Sequence, residues 1–97
     1  MYAVINTLTL SRPLDTDLLR RAQSELMSQA RSVVGFVQAS LISLDEHTVV
    51  IVAICDSPQS LRQLQETVGS AWVSKNLTPQ LERADRRHGP VIASTLF

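Results

Sequence analysis

Residues 48–56 read Thr48-Val49-Val50-Ile51-Val52-Ala53-Ile54-Cys55-Asp56, "TVVIVAICD", and no side chain between the threonine and the aspartate is polar. The β-branched content predicts a strand. A strand with one face in water alternates apolar and polar residues. Here Val49, Ile51, Ala53 and Cys55 fall on one face and Val50, Val52 and Ile54 on the other. Both faces therefore call for cover.

The flanking sequence supplies cover for one of them. Phe36 to Leu44, "FVQASLISL", reads as a strand, and the polar Asp45-Glu46-His47 joins it to the Thr48 strand as a hairpin. Before it, Asp15-Thr16-Asp17 opens a helix with a capping side chain and an acid in the first turn. Leu19, Ala22, Leu26, Ala30 and Val33 form its apolar stripe, and Gly35 can end it in the left-handed conformation. Tyr2 to Leu10, "YAVINTLTL", is a first strand with Tyr2, Val4, Asn6, Leu8 and Leu10 on one face, stopped by Ser11-Arg12-Pro13.

Downstream, Ser57-Pro58 starts a second helix with the stripe Leu61, Leu64, Val68, Ala71 and Trp72, weakened by Gly69. Thr78-Pro79 repeats the start signal and predicts a short helix through Leu81 and Ala84. Gly89-Pro90 breaks it, and Val91 to Phe97, "VIASTLF", is the expected last strand. The order β-α-β-β-α-(α)-β predicts an α+β, ferredoxin-like domain over residues 1–97, with a four-stranded antiparallel sheet and both long helices on one face. The apolar second face of the Thr48 strand then predicts a homodimer, sheet against sheet about a two-fold axis.

Composition narrows the function classes. With 44% hydrophobic and 19% charged residues and a formal net charge of zero, the chain has a globular composition and lacks the basic surplus of a nucleic-acid binder. Arg83, Arg86, Arg87 and His88 can be read as a small anion patch, but a solvated helix end is favoured because no aromatic residues interleave with them. The single cysteine, Cys55, excludes an intramolecular disulfide and a cysteine-only zinc site; within an apolar run it reads as packing. No secretory signal is visible at Met1–Asn6 and no run approaches the ~20 residues of a membrane helix, so a cytoplasmic protein with no membrane partner is expected.

Strand order, length and the Cys55-Asp56-Ser57-Pro58 junction resemble the dimeric α+β barrel superfamily, and within it the antibiotic biosynthesis monooxygenase-like proteins. The resemblance covers essentially the whole chain. It implies a ligand cleft between sheet and helices, a small apolar or aromatic ligand and, for the oxygenases of the group, no metal and no cofactor. Asn6, in Asn6-Thr7-Leu8-Thr9-Leu10, stands where the group has a first-strand asparagine that lines the cleft. Trp72 lies about two turns later than the group's helix tryptophan. Haem-degrading members have a histidine near the end of that helix, and this chain has none there.

Two readings accompany each candidate. Asn6 is either tied to backbone at a strand edge or aimed at a ligand oxygen, where a fixed dipole stabilises developing charge. Trp72 either packs in the core or at the dimer contact, or lines the cleft beside a flat ligand. Tyr2 shares the strand face of Asn6 and is a candidate for the far end of the cleft. His88 is a candidate proton shuttle if the last helix covers the cleft, since imidazole is the side chain suited to moving protons near neutral pH. His47, beside Asp45 and Glu46, reads as a solvated turn and not a metal set. No serine–histidine–acid set, phosphate loop or carboxylate pair has interpretable spacing. The expectation is a cofactor-independent monooxygenase-like protein for a small aromatic or polyketide-type substrate; the alternative is a non-catalytic binding or accessory module, with haem binding a lesser one.

Overall fold

The computed structural model describes residues 1–97. Four strands, β1 (Tyr2–Leu10), β2 (Phe36–Ser43), β3 (Thr48–Cys55) and β4 (Leu81–Pro90), form one antiparallel sheet in the order β2-β3-β1-β4. The first helical rod runs through α1 (Thr16–Arg21), a π-helical turn (Ala22–Leu26) and α2 (Met27–Arg31); the second runs through α3 (Pro58–Leu64), a π-helical turn (Gln65–Gly69) and α4 (Ser70–Asn76). This is the ferredoxin-like arrangement expected from the sequence.

Capping follows the sequence signals. Asp15 accepts from the backbone N–H of Leu18 at 2.7 Å, and Ser57 accepts from that of Ser60 with Pro58 at the first helical position. Gly35 takes φ +88° after α2, and its carbonyl accepts from Asp56 N–H at 2.8 Å, which ties the end of the first rod to the β3–α3 junction.

The buried stripe of the first rod is Leu18, Ala22, Leu26, Ala30 and Val33, so Leu18 replaces the expected Leu19, which is 48% exposed. Steps of four residues drift around an α-helix of 3.6 residues per turn. The π turn, with its Met27 N–H to Ala22 carbonyl bond, takes up that drift and keeps the stripe over the sheet. In the second rod Leu61, Leu64, Val68 and Trp72 are buried, whereas Ala71 is exposed. With Val4, Leu8, Leu10, Val49, Ala53, Cys55 and Leu77 these residues make one core cluster between rods and sheet. At roughly 1.5–3 kcal/mol for each large apolar side chain, this layer is the main stabilising term.

Two expectations are corrected. The predicted third helix is only a 3₁₀ turn, Thr78–Gln80, and the last strand is Leu81–Pro90, not Val91–Phe97, which is irregular. The cause is a bulge. Leu10 pairs with Leu81 and Thr9 with Arg83, so Glu82 is the extra residue, and Leu81 and Ala84 reach one face three positions apart, as on a helix. Arg83, Arg86, Arg87 and His88 are therefore strand residues and not a helix end.

The start of β4 is fixed by buried Gln80. Its side-chain oxygen accepts from Arg12 Nε at 2.7 Å and its carbonyl from Ser11 N–H at 2.8 Å. Where the "TVVIVAICD" strand meets the rods, Val49, Ala53 and Cys55 are buried; on the opposite face Val50, Val52 and Ile54 are half-buried, and neighbouring Ile5 is 49% exposed. No helix is long and apolar enough to cross a membrane.

Candidate functional site

Cross-strand partners project to the same face of a sheet. Register places Leu41 opposite Ile51, Ile51 opposite Asn6, and Asn6 opposite Arg86, a row of four across the helix-facing side. The next rows are Ala39, Ala53, Val4 and His88 on one side and Ser43, Val49, Leu8 and Ala84 on the other. Under the central rows the rods do not close on the sheet. A cleft of about 260 Å³ remains, floored by β1, β3 and β4 and roofed by Leu26, Leu64, Val68 and Gly69.

Both rods carry their π turns where they meet this cleft: Leu26 ends the first, and Gln65, Val68 and Gly69 belong to the second, closed by a Ser70 N–H to Gln65 carbonyl bond. A π turn widens the helix locally, and Gly69 adds no side chain to the roof.

The wall is mostly apolar, with 13 of its 19 residues hydrophobic, so its few polar groups define what it can recognise. Asn6 Oδ1 is removed from solvent and accepts no hydrogen bond. A buried amide oxygen without a donor costs about 1–3 kcal/mol. Arg86, directly across the ladder, is the only charged residue on the wall, and its guanidinium is in none of the chain's three ion pairs. Cα atoms of such paired residues stand about 4.5–5.5 Å apart, so the amide and the guanidinium can act on one ligand group. No Asp, Glu, His or Lys lines the cleft, and nowhere in the chain do three His, Cys, Asp or Glu side chains converge.

Of the residues singled out from sequence, Asn6 alone stands on the cleft wall. Trp72 is buried in the core at 6% exposure, with its indole N–H unpartnered, and does not reach the cleft. Tyr2 is half-buried against the core at the end of the sheet, opposite Cys55 and Pro90. His88 is exposed on β4, one same-face position beyond Arg86. His47 belongs to the hairpin turn, with Nδ1 3.0 Å from the Leu10 carbonyl and its own carbonyl accepting from Leu10 N–H. Asp45 accepts from His47 N–H, which lowers its carboxyl below the usual value of 3.8. Burial pushes the Cys55 thiol up, in keeping with a packing role.

The sequence offers Arg86 as part of an anion patch but not as a cleft residue; its signal is the alternation Ala84, Arg86, His88, which a helix over this segment hides.

No family model matches the chain, and no curated protein matches it. Solved structures do match. SnoaB, a cofactor-independent oxygenase from Streptomyces nogalater, superposes with a TM-score of 0.74 at 11% identity, covering 97% of this chain and 95% of that one. A monooxygenase from the gene ActVA-Orf6 of Streptomyces coelicolor, in complex with nanaomycin D, gives 0.68 at 23% identity over 96% and 92%. A dimeric ferredoxin-like protein from an uncultured marine organism gives 0.70 at 13% identity, with 97% of both chains covered. The chain thus has the fold of the antibiotic biosynthesis monooxygenase-like proteins over nearly its full length, and the likeness is one of fold.

Proposed function

We propose that the chain binds a small aromatic molecule carrying an acidic hydroxyl in the cleft between sheet and helices, and oxygenates it as a cofactor-independent monooxygenase. The observation that carries this reading is the buried, unpartnered amide oxygen of Asn6 in an apolar cleft, facing the one cation on the wall. A phenolic ligand answers both groups. Its flat rings suit the apolar roof, and its oxygen suits Arg86 as an anion; a second hydroxyl can donate to Asn6 Oδ1. The volume lies just below the usual range for drug-sized ligands and so favours a small one, of about two or three fused rings. The fold is shared with a structure named as a cofactor-independent oxygenase and with one that holds the aromatic nanaomycin D.

The chemistry belongs to the substrate. Loss of the hydroxyl proton gives a phenolate, which passes one electron to dioxygen. Recombination forms a carbon–oxygen bond and a hydroperoxide. Loss of water then leaves a quinone: one oxygen atom enters the product, the other leaves as water, and the substrate supplies all four electrons. Arg86 favours ionisation by stabilising the anion, and the Asn6 amide, its oxygen removed from solvent, holds the reacting group. With no base on the wall, the ligand ionises before or during entry, its proton passing to solvent.

The absence of a base also favours a second reading, in which the cleft binds the same molecule without turning it over. In either case the apolar groups on the outer sheet face, exposed Ile5 and Ile42 and half-buried Val50 and Val52 among them, fit a homodimer through sheet faces.

Anaerobic titration calorimetry with two- and three-ring phenols tests the binding step. Affinity should rise with pH through the ligand's own pKa, and Arg86→Gln should lose at least about tenfold, ~1.4 kcal/mol. Equal binding by the variant, or none by either protein, contradicts the reading.

A further inference from the structure

The cleft has one open end and one closed end. Among its wall residues Ser70, Ser74, Ala84 and Arg86 are exposed, and all four lie on β4 or on α4. The mouth therefore opens between β4 and the second rod. At the far end, toward β2, the wall is Met27, Ala30 and Ala39, none of them exposed. Beyond that wall, between β2 and the first rod, lies a groove of about 590 Å³, also mostly apolar. Its sides include Leu19 and Val37, two large apolar groups that the chain leaves exposed.

Cleft and groove have just two wall residues in common, Met27 and Ala39. The partition is thin. Ala39 contributes a single methyl group, and Met27 is unbranched, half-buried and placed at the end of the π turn that its own N–H closes. Such a side chain has three rotatable bonds and changes rotamer without any movement of the backbone. The sheet beneath runs on unbroken: Arg86, Asn6 and Ile51 line the cleft, and Leu41, next in the same row, lines the groove. That row spans three inter-strand spacings, about 14 Å. A ring system held by Arg86 and Asn6 points its other end at Met27 and Ala39.

We propose that Met27 and Ala39 form a passable partition and that the ligand is a phenol bearing an apolar chain. The hydroxyl is held at Asn6 and Arg86, and the chain passes Met27 into the groove beside the first rod. This rests on the cleft taking a phenol, and it adds the second half of that ligand. Met27 then decides ligand length. With its side chain across the opening the site ends at about 260 Å³; with it turned aside the chain reaches Leu19 and Leu41. An apolar chain suits the groove because the polar Gln23, Arg31 and Gln38 are exposed, which leaves half-buried Met27, Phe36 and Leu41 as its inner surface.

Anaerobic calorimetry with naphthol, and with a naphthol carrying a hexyl chain on the ring remote from the hydroxyl, tests this. The readout is the ratio of the two affinities within one protein, so a general loss of binding in a variant cancels. Each buried methylene raises affinity by up to about fourfold, and the chain should give the wild type a gain of at least about tenfold. Leu19→Glu, at an exposed helix position on the groove wall and outside the cleft, should reduce that gain to about twofold or less. Met27→Ala, which removes the partition, should keep it. A smaller gain in the wild type, a gain that Leu19→Glu leaves in place, or one that Met27→Ala abolishes overturns the proposal, and the groove then serves another occupant. If naphthol itself does not bind, the phenol reading fails separately: hexylnaphthol binding that Leu19→Glu weakens upholds the passage, and hexylnaphthol that does not bind overturns both.

Discussion

Three other buried polar atoms also lack a well-aligned hydrogen bond: Trp72 Nε1, Gln80 Nε2 and Arg21 Nε, the last still 3.2 Å from the Asp17 carboxylate. An orphaned atom by itself therefore does not mark a site. None of those three residues lines the cleft, whereas Asn6 does, opposite a free cation. Left without a partner, its amide works against folding, and the proposed function gives it a role in recognition. Replacing it with valine removes the unsatisfied group and puts a β-branched side chain in a strand. Thermal unfolding should show Asn6→Val about 1 kcal/mol more stable than the wild type. A variant less stable by that amount would mean that the amide is tied down within the folded chain. Asn6 was legible in the sequence because a polar residue interrupts an apolar strand face. Arg86 was not, since its partner across the ladder depends on register, which no single sequence pattern supplies.

Two glycines separate the constraints on the elements. Gly35 takes φ +88°, and a Cβ there would collide with the Asp56 carboxylate and the Ser60 hydroxyl. Gly69 has helical φ −60°, and a Cβ there would meet nothing closer than the Leu64 carbonyl at 3.8 Å. Denaturant unfolding should find Gly35→Ala destabilised by at least ~2 kcal/mol and Gly69→Ala stabilised by about 0.5–1 kcal/mol. Similar effects from both would show that the first rod does not end as described. The rods were readable because caps and apolar stripes are local signals. The last strand was not: the Glu82 bulge puts Leu81 and Ala84 on one face at helical spacing, and five charged residues mask its pairing with β1. The segment that looked most like a strand, Val91–Phe97, has no partner within its own chain.

For the whole molecule, the apolar run of β3 poses a question the single chain answers by half. Val49, Ala53 and Cys55 are covered by the rods, and Val50, Val52 and Ile54 on the opposite face stay half-buried without cover from the single chain. The same division appears at the edges, where β4 is charged and β2 is bare. The cleft is built from elements of one chain, and Asn6 and Arg86 on its wall lie in a single row of the sheet. On the proposed function, changes at Asn6 and Arg86 should therefore lower ligand binding and turnover without unfolding the chain.

The direct test is oxygen uptake by the purified protein with two- and three-ring phenols, comparing wild type with the better-folded Asn6→Val variant. Uptake above the uncatalysed rate, falling at least tenfold in the variant, corresponds to about 1.4 kcal/mol of lost transition-state stabilisation and is the predicted result. Uptake no faster than the blank, or undiminished in Asn6→Val, would contradict the assignment of this cleft as an oxygenase site.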